Sequence, residues 1–268
     1  MKAAILARGL ATRMRAAAEA PLDAAQAAAA TAGLKSLMPI RGRPFLDYAL
    51  SRLADAGARD VALVIGPDQD DPVRARYDRT TPPARVRVTF VVQSSPRGTA
   101  DAVLACENWA GSSAFLVVNA DNLYPVETLR ALIALDGPGL PAFASDDLVR
   151  TSNIPPDRVA AFALLEIDAQ GRLTRIAEKP GPAAVEAAGP QAKVSMNCWR
   201  FDARIFDACR DITPSVRGEL ELPTAVSLAM SRGVPFQAVP AHGPVLDLSG
   251  RADVAEVERL LDGEAPRP

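Results

Sequence analysis

An α/β fold built on a doubly wound, mostly parallel sheet is predicted by three features of this sequence. Short runs that are apolar on both faces, such as Val61-Ala62-Leu63-Val64-Ile65, alternate with stretches of helical spacing, such as Leu46, Ala49, Leu50 and Leu53. Strands buried on both faces mark a parallel sheet with helices on each side. After about residue 140 the alternation breaks, and two apolar runs flank Asp168-Ala169-Gln170-Gly171 as in a hairpin. No internal repeat is present and no linker is long enough to part domains, so 1–268 reads as one domain.

Residues 3–7 form an apolar run ending in Arg8-Gly9-Leu10-Ala11-Thr12-Arg13, which predicts a buried strand feeding a glycine-containing loop. An alanine-rich stretch follows, with Pro21 and Gly33 as punctuation. Within it, 22–32 predicts a helix, because alanine has the highest helix propensity and Asp23 stands in the first turn. This low-complexity insert suits a solvated surface helix and an active-site lid equally well. Residues 45–56 predict a helix closed by Gly57, 61–65 a strand, 86–92 a strand, 99–109 a helix and 114–118 a strand. In the second half, 159–167 and 173–176 predict the hairpin strands and 194–201 a further strand. Helices are expected near 205–209, 222–232 and 253–261.

Thirty basic and thirty-two acidic side chains leave a formal charge of −2, so no global field draws nucleic acid or an anionic membrane to the chain. Any phosphate site must be built locally. Cys106, Cys198 and Cys209 are too few and too widely spaced for a disulfide framework or a C-x-x-C metal pair, which favours a reducing compartment. The apolar start is too short for a signal segment or a membrane span, so a cytoplasmic location is expected.

In open α/β sheets ligands bind beyond the carboxyl ends of the strands, which directs attention to the polar residues after each apolar run. The first cluster is Gly9 to Arg13 with Lys35 beyond the insert: Gly9 permits close backbone approach, N–H groups can cradle phosphate, and Arg13 supplies a cationic fork. An ordinary strand-to-helix turn would read the same. The second is Gln93-Ser94-Ser95-Pro96-Arg97-Gly98-Thr99-Ala100, where Gln93 suits the edge of a nucleobase, Gly98 leaves room for a ring or a backbone, and Thr99 can cap a helix. The third pairs Asp121, in Asn119-Ala120-Asp121-Asn122, with Asp247, which follows Pro244-Val245-Leu246. Two aspartates meeting at a sheet edge would hold a hard cation such as Mg²⁺ beside substrate phosphates. The fourth is Glu178-Lys179-Pro180, either a surface ion pair or a hydroxyl acceptor beside a phosphate-neutralising lysine. His242, the one histidine, lies in a Pro/Gly-rich loop and is expected to be incidental.

In order, these clusters resemble the sugar-1-phosphate nucleotidylyltransferase family over nearly the whole chain. Leu6-Ala7-Arg8-Gly9-Leu10-Ala11-Thr12-Arg13 and Leu34-Lys35-Ser36-Leu37-Met38-Pro39-Ile40 are similar to the family's G-x-G-T-R opening and later P-K. Gln93 with Pro96-Arg97-Gly98-Thr99-Ala100 resembles its base loop, Asn119-Ala120-Asp121-Asn122 its G-D-N metal segment, and Glu178-Lys179-Pro180 its E-K-P. Arg217-Gly218-Glu219-Leu220-Glu221-Leu222 is also similar, and Leu246-Asp247-Leu248-Ser249-Gly250 resembles the segment of the second metal aspartate.

The resemblance implies a Rossmann-like nucleotide-binding core over about 1–140, an embedded acceptor-binding portion over about 141–250, and a C-terminal helix and tail over 251–268. It implies transfer of a nucleoside monophosphate from an NTP to a small phosphorylated acceptor, a sugar 1-phosphate, with pyrophosphate leaving and no nucleic-acid or membrane partner. Its catalytic cations would be Arg13, Lys35 and Lys179, and its nucleotide site Leu6, Ala7, Gly9, Thr12, Gln93, Pro96, Gly98 and Thr99. Its acceptor site would be Asn119, Glu178 and Asn197, and Asp121 and Asp247 would hold Mg²⁺. Dimers or tetramers are common in the family, so a homo-oligomer is compatible.

Three departures from the family pattern stand out. Ala11 replaces a glycine, the insert before Lys35 is long and lacks the proline before the lysine, and Asn197 stands where glycine usually lies beside the sugar. They keep two alternatives open: a cytidylyl- or guanylyltransferase for a non-sugar acceptor phosphate, and a non-catalytic nucleotide- or sugar-phosphate-sensing module.

Overall fold

The computed structural model describes residues 1–9, 12–16, 20–159, 161–178 and 180–268; Ala11 and Lys179 lie outside the described residues. Ten strands of one mixed sheet run through them. In chain order these are β1 (Lys2–Leu6), β2 (Asp60–Ile65), β3 (Arg87–Val92), β4 (Phe115–Asn119), β5 (Gly139–Ala144), β6 (Ala163–Ile167), β7 (Leu173–Ala177), β8 (Lys193–Ser195), β9 (Trp199–Phe201) and β10 (Gln237–Ala241). Across the sheet the order is β7-β6-β8-β5-β9-β4-β1-β2-β3, with β10 added against β5.

The first half is the doubly wound unit that the alternating pattern predicts. β1 runs parallel to both β2 and β4, and β2 runs parallel to β3. Alternate side chains of β1 feed opposite cores: Ala3 and Ile5 pack with Phe45, Leu46 and Leu50, while Ala4 packs with Val64, Phe115 and Trp199. That two-sided burial is why these strands read as continuous apolar runs. On the second face Phe115 stacks on Phe206 with ring centroids 5.5 Å apart. β9 then returns antiparallel to β4, and β5, β8, β6 and β7 extend the sheet through antiparallel pairings, with β6 and β7 forming the expected hairpin. β10 lies parallel to β5.

Several elements depart from the sequence prediction. The helix expected over 99–109 is two helices, Thr99–Leu104 and Glu107–Ala110, because the turn tightens at Cys106, whose N–H bonds to the Val103 carbonyl three residues back. The strand expected over 159–167 starts only at Ala163, after the short helix Pro156–Val159. The strand expected over 194–201 is broken between β8 and β9 by Asn197, which takes a left-handed φ of 55° that asparagine tolerates better than most residues. β5 is fully buried yet unpredicted, since Gly139 and Pro141 hide it. On one flank of β5, β9 reaches only Gly139 and β8 only Phe143 and Ala144, so Pro141 falls in a gap between partners.

The described helix of the insert lies on the surface with one face solvated and the other packed on the domain. This helix, Ala24–Ala32, begins with a reciprocal capping box between Asp23 and Gln26 and ends at Gly33. Ala29 and Ala30 are buried, and the buried Gln26 amide donates to the Pro39 carbonyl at 3.1 Å and to Glu258 at 2.9 Å. Glu258 lies on the helix Asp253–Leu260, so the insert is fastened to the far end of the chain. No described helix is long and apolar enough to cross a membrane.

Candidate active site

A cleft of roughly 380 Å³ opens beyond the carboxyl ends of β1, β2 and β4, where the sheet rule places a ligand. The loop after β1 contributes Leu6, Ala7, Arg8, Gly9 and Thr12, and the loop after β4 contributes Asn119, Ala120 and Asp121. The Ala120 N–H bonds to the Leu6 carbonyl and joins the two loops, and the Ala7 N–H bonds to the Val64 carbonyl and ties the first of them to β2. Gln93, Pro96, Gly98, Thr99 and Ala102 line a second wall, and Gly33, Lys35 and Ser36, at the exit of the insert, line a third. All eight residues expected at the nucleotide therefore line one cleft with Lys35, Asn119 and Asp121. Arg13, Glu178, Asn197 and Asp247 do not line it.

The 93–100 loop, where a nucleobase is expected, is more tightly braced than its sequence suggests. Gln93 is buried, and its Nε2 donates to the Gly98 carbonyl at 3.0 Å and to Asp101 at 2.9 Å, so its amide is not kept for a ligand alone. Asp101 also accepts from Arg97. Gly98 takes φ 123°, and a Cβ there would lie 2.4 Å from the Leu220 carbonyl oxygen. Its glycine thus serves close approach of the 217–222 segment. Leu220 N–H bonds to the Arg97 carbonyl at 2.7 Å and Ala100 N–H to the Leu220 carbonyl at 2.9 Å. Thr99 is not the helix cap, a place Gly98 holds; its hydroxyl accepts from Leu222 N–H at 2.9 Å. Glu219 reaches the cleft from that same segment.

At the acidic end, Lys35 Nζ lies 2.5 Å from Asp121 Oδ2. Asp247 reaches this region by a different route from the one expected. It does not follow a parallel strand; it sits in the short antiparallel bridge of Leu246–Asp247 with Asn122–Leu123, opposite Asn122. Leu248 N–H bonds to the Asp121 carbonyl at 2.9 Å, which pins the two segments together. Asp247 is buried, accepts from the Ser249 hydroxyl on both oxygens and from Arg158 at 3.1 Å, and Arg158 also holds Asp253. Burial, then the nearby Asp121 charge, raises the Asp247 pKa above the ordinary carboxylate value.

This pair fits a hard divalent cation. The two carboxylates repel one another electrostatically, and Asp121 keeps Oδ1 without a partner among the described residues. A dication near both would relieve that repulsion. No cluster of three or more His, Cys, Asp or Glu side chains suited to a metal occurs among the described residues.

The remaining candidates lie around the cleft. Arg13 is exposed on the short helix Thr12–Arg15, while the neighbouring Arg15 lies against Gly33, where a Cβ would meet its Nε at 2.2 Å. Glu178 is exposed and acts electrostatically on Arg217. Asn197 N–H bonds to Ser195 Oγ at 3.3 Å, and the Tyr124 hydroxyl donates to the adjoining Met196 carbonyl at 2.7 Å. Sequence reasoning missed Arg8, whose guanidinium donates to the backbone carbonyls of Gln93 and Ser94 and so joins the first loop to the base loop. It also missed Asp101 and Arg158. Arg8 sits inside the Leu6–Arg13 motif, but its partners are backbone carbonyls, which leave no residue-type signal.

The family model described as nucleotidyl transferase matches residues 3–261 of the chain. A glucose-1-phosphate thymidylyltransferase of Streptomyces antibioticus is 29% identical, over 100% of this chain and 68% of the relative. A UTP–glucose-1-phosphate uridylyltransferase of Haloferax volcanii is 25% identical over 98% of each chain. Among solved structures, UDP-glucose pyrophosphorylase complexed with UDP-glucose superposes with TM-score 0.72 at 16% identity, covering 98% of this chain and 99% of that one, a likeness of fold.

Proposed function

The chain belongs to the nucleotidyl transferase family, and from that premise we propose that it transfers the nucleoside monophosphate of an NTP to a sugar 1-phosphate. The observation that carries this reading is the convergence, in one cleft, of the Leu6–Thr12 loop, Gln93, and the Lys35–Asp121 pair. An acceptor phosphate oxygen attacks the α-phosphorus, a new P–O bond forms, the bond to the bridging oxygen breaks, and pyrophosphate leaves. Such a transfer needs positioning and charge neutralisation and no nucleophilic side chain. The three cysteines agree: all are buried, and burial pushes the Cys106 thiol up to about 12, far from a reactive thiolate.

In this reading the backbone around Ala7 and Gly9 and the side chains of Lys35 and Arg13 neutralise the triphosphate, Arg13 by turning inward from the surface. Gln93 reads the base. Asn119, Glu178, Asn197 and Lys179 receive the sugar phosphate. Asp121 and Asp247 would hold Mg²⁺, which when bound neutralises and orients phosphate oxygens. The named relatives make glucose 1-phosphate with UTP or dTTP the first pairs to try. A cytoplasmic location, where NTPs are abundant, belongs to the same reading. The test is pyrophosphate release by the purified protein with Mg²⁺, each NTP and a panel of sugar 1-phosphates. Release that needs both one NTP and one sugar 1-phosphate is expected, and none with any pair would overturn the reading.

A further inference from the structure

Gln93 follows β3 directly and lines the cleft while 4% exposed. A primary amide has a donor end and an acceptor end, and the end turned to a ligand decides which ligand edge is accepted. Here the surroundings make the choice. Nε2 lies 3.0 Å from the Gly98 carbonyl oxygen and 2.9 Å from Asp101 Oδ2. Both partners are acceptors only, so the nitrogen must face them; the flipped amide would set its oxygen against a carbonyl and a carboxylate. Oε1 has no donor among the described residues and is the end left for the cleft. Asp101 is itself buried, and its other oxygen is held by Arg97. The Gln93 backbone carbonyl is held in turn by Arg8.

We infer that Asp101 is a positioning residue that selects the nucleobase: by locking Gln93 with its carbonyl oxygen toward the cleft, it admits bases with a ring N–H donor and disfavours those with a ring acceptor there. Uracil, thymine and guanine carry that N–H. Cytosine and adenine present a lone pair at the corresponding ring nitrogen, which sets two acceptors against each other. The inference rests on the nucleotidyl-transfer reading above.

The experiment compares kcat/KM for UTP and CTP, with one sugar 1-phosphate, in the native protein, Asp101→Asn and Asp101→Ala; GTP against ATP covers a purine site. The native protein should prefer the N–H base by tenfold or more. In Asp101→Asn, Arg97 should retain the new amide oxygen and turn the new NH₂ toward Gln93 Nε2, donor against donor, so that only the Gly98 carbonyl still favours the native orientation and the flipped amide becomes populated. The preference should then fall at least tenfold, with CTP or ATP itself used better. Asp101→Ala removes one of the two acceptors that hold Nε2 and leaves the Gly98 carbonyl, so the ratio should fall by less. A merely structural role would lower both nucleotides alike and leave the ratio in place. A native ratio near one, or a ratio unchanged in both variants, would overturn the inference. Should Asp101→Asn fail to fold, the native ratio and Asp101→Ala decide alone. Absence of turnover with every NTP would instead count against nucleotidyl transfer, and equilibrium dialysis of UTP and CTP against the same proteins would then decide the base lock.

Discussion

Lys35 Nζ and Asp121 Oδ2 meet at 2.5 Å, so the cation that leaves the insert and the carboxylate that leaves β4 neutralise each other inside the cleft. Both side chains are partly exposed, at 16% and 31%, so the pair contributes little to folding. On the proposed function its weight falls on charge that builds up during transfer. Lys35→Ala should lower kcat roughly a hundredfold or more, a typical loss for one charge-stabilising group, while the melting temperature moves by only a few degrees. Pyrophosphate release beside thermal unfolding checks both halves.

Arg13 is exposed and stands off the cleft, so Arg13→Ala should fold normally. On the proposed function it should also lose turnover, by about a hundredfold. Full activity with the true substrates would remove it from the phosphate site.

Gln93→Ala removes two internal hydrogen bonds and, on the proposed function, a base contact. Leaving the Gly98 carbonyl and Asp101 short of a donor should cost about 1–3 kcal/mol of stability. NTP KM should rise roughly tenfold with the sugar-phosphate KM nearly unchanged. Urea unfolding and steady-state kinetics separate the two effects.

Gly98→Ala would combine a left-handed φ of 123° with a Cβ 2.4 Å from a backbone oxygen of Leu220. Backbone does not yield as a flexible side chain does, so the loss should be about 2 kcal/mol or more. A clear drop in unfolding temperature is the expected observation.

The raised pKa of Asp247 gives stability a pH signature. In the window above its ordinary value of 3.8, the folded state binds a proton that the unfolded state has released. Stability therefore falls as pH rises through that window. Asp247→Asn cannot titrate, so its stability relative to the native protein should grow with pH across the window and then level off. Urea midpoints of both proteins between pH 4 and 7 check the sign. A metal bound beside Asp247 requires the ionised form, so Mg²⁺ should bind less tightly as pH falls through the same window.

Strand ends were the most legible part of this chain. Leu6, Gln93 and Asn119 stand where an apolar run gives way to polar residues, which is where a parallel strand leaves the sheet, and all three reach the cleft. Asp247 was legible as a residue but not by its route, because a two-residue antiparallel bridge has no periodicity to read. β5 and β10 escaped notice for a related reason: Pro141 and Pro240 signal a break, and only the surrounding pairing makes them tolerable. The Gln93–Asp101 lock depends on a side-chain direction eight positions apart across a loop and helix start, which spacing alone does not encode.

The fastening of Gln26 to Glu258 has a bearing on biosynthesis. The two residues are 232 positions apart, so the wall that presents Gly33, Lys35 and Ser36 to the cleft lacks one of its anchors until the ribosome has made the helix Asp253–Leu260. The parallel block of β1 to β4 can pair much earlier. A nascent chain would thus hold a nearly finished sheet before it holds a finished cleft, and contacts of such long range are the slowest to form.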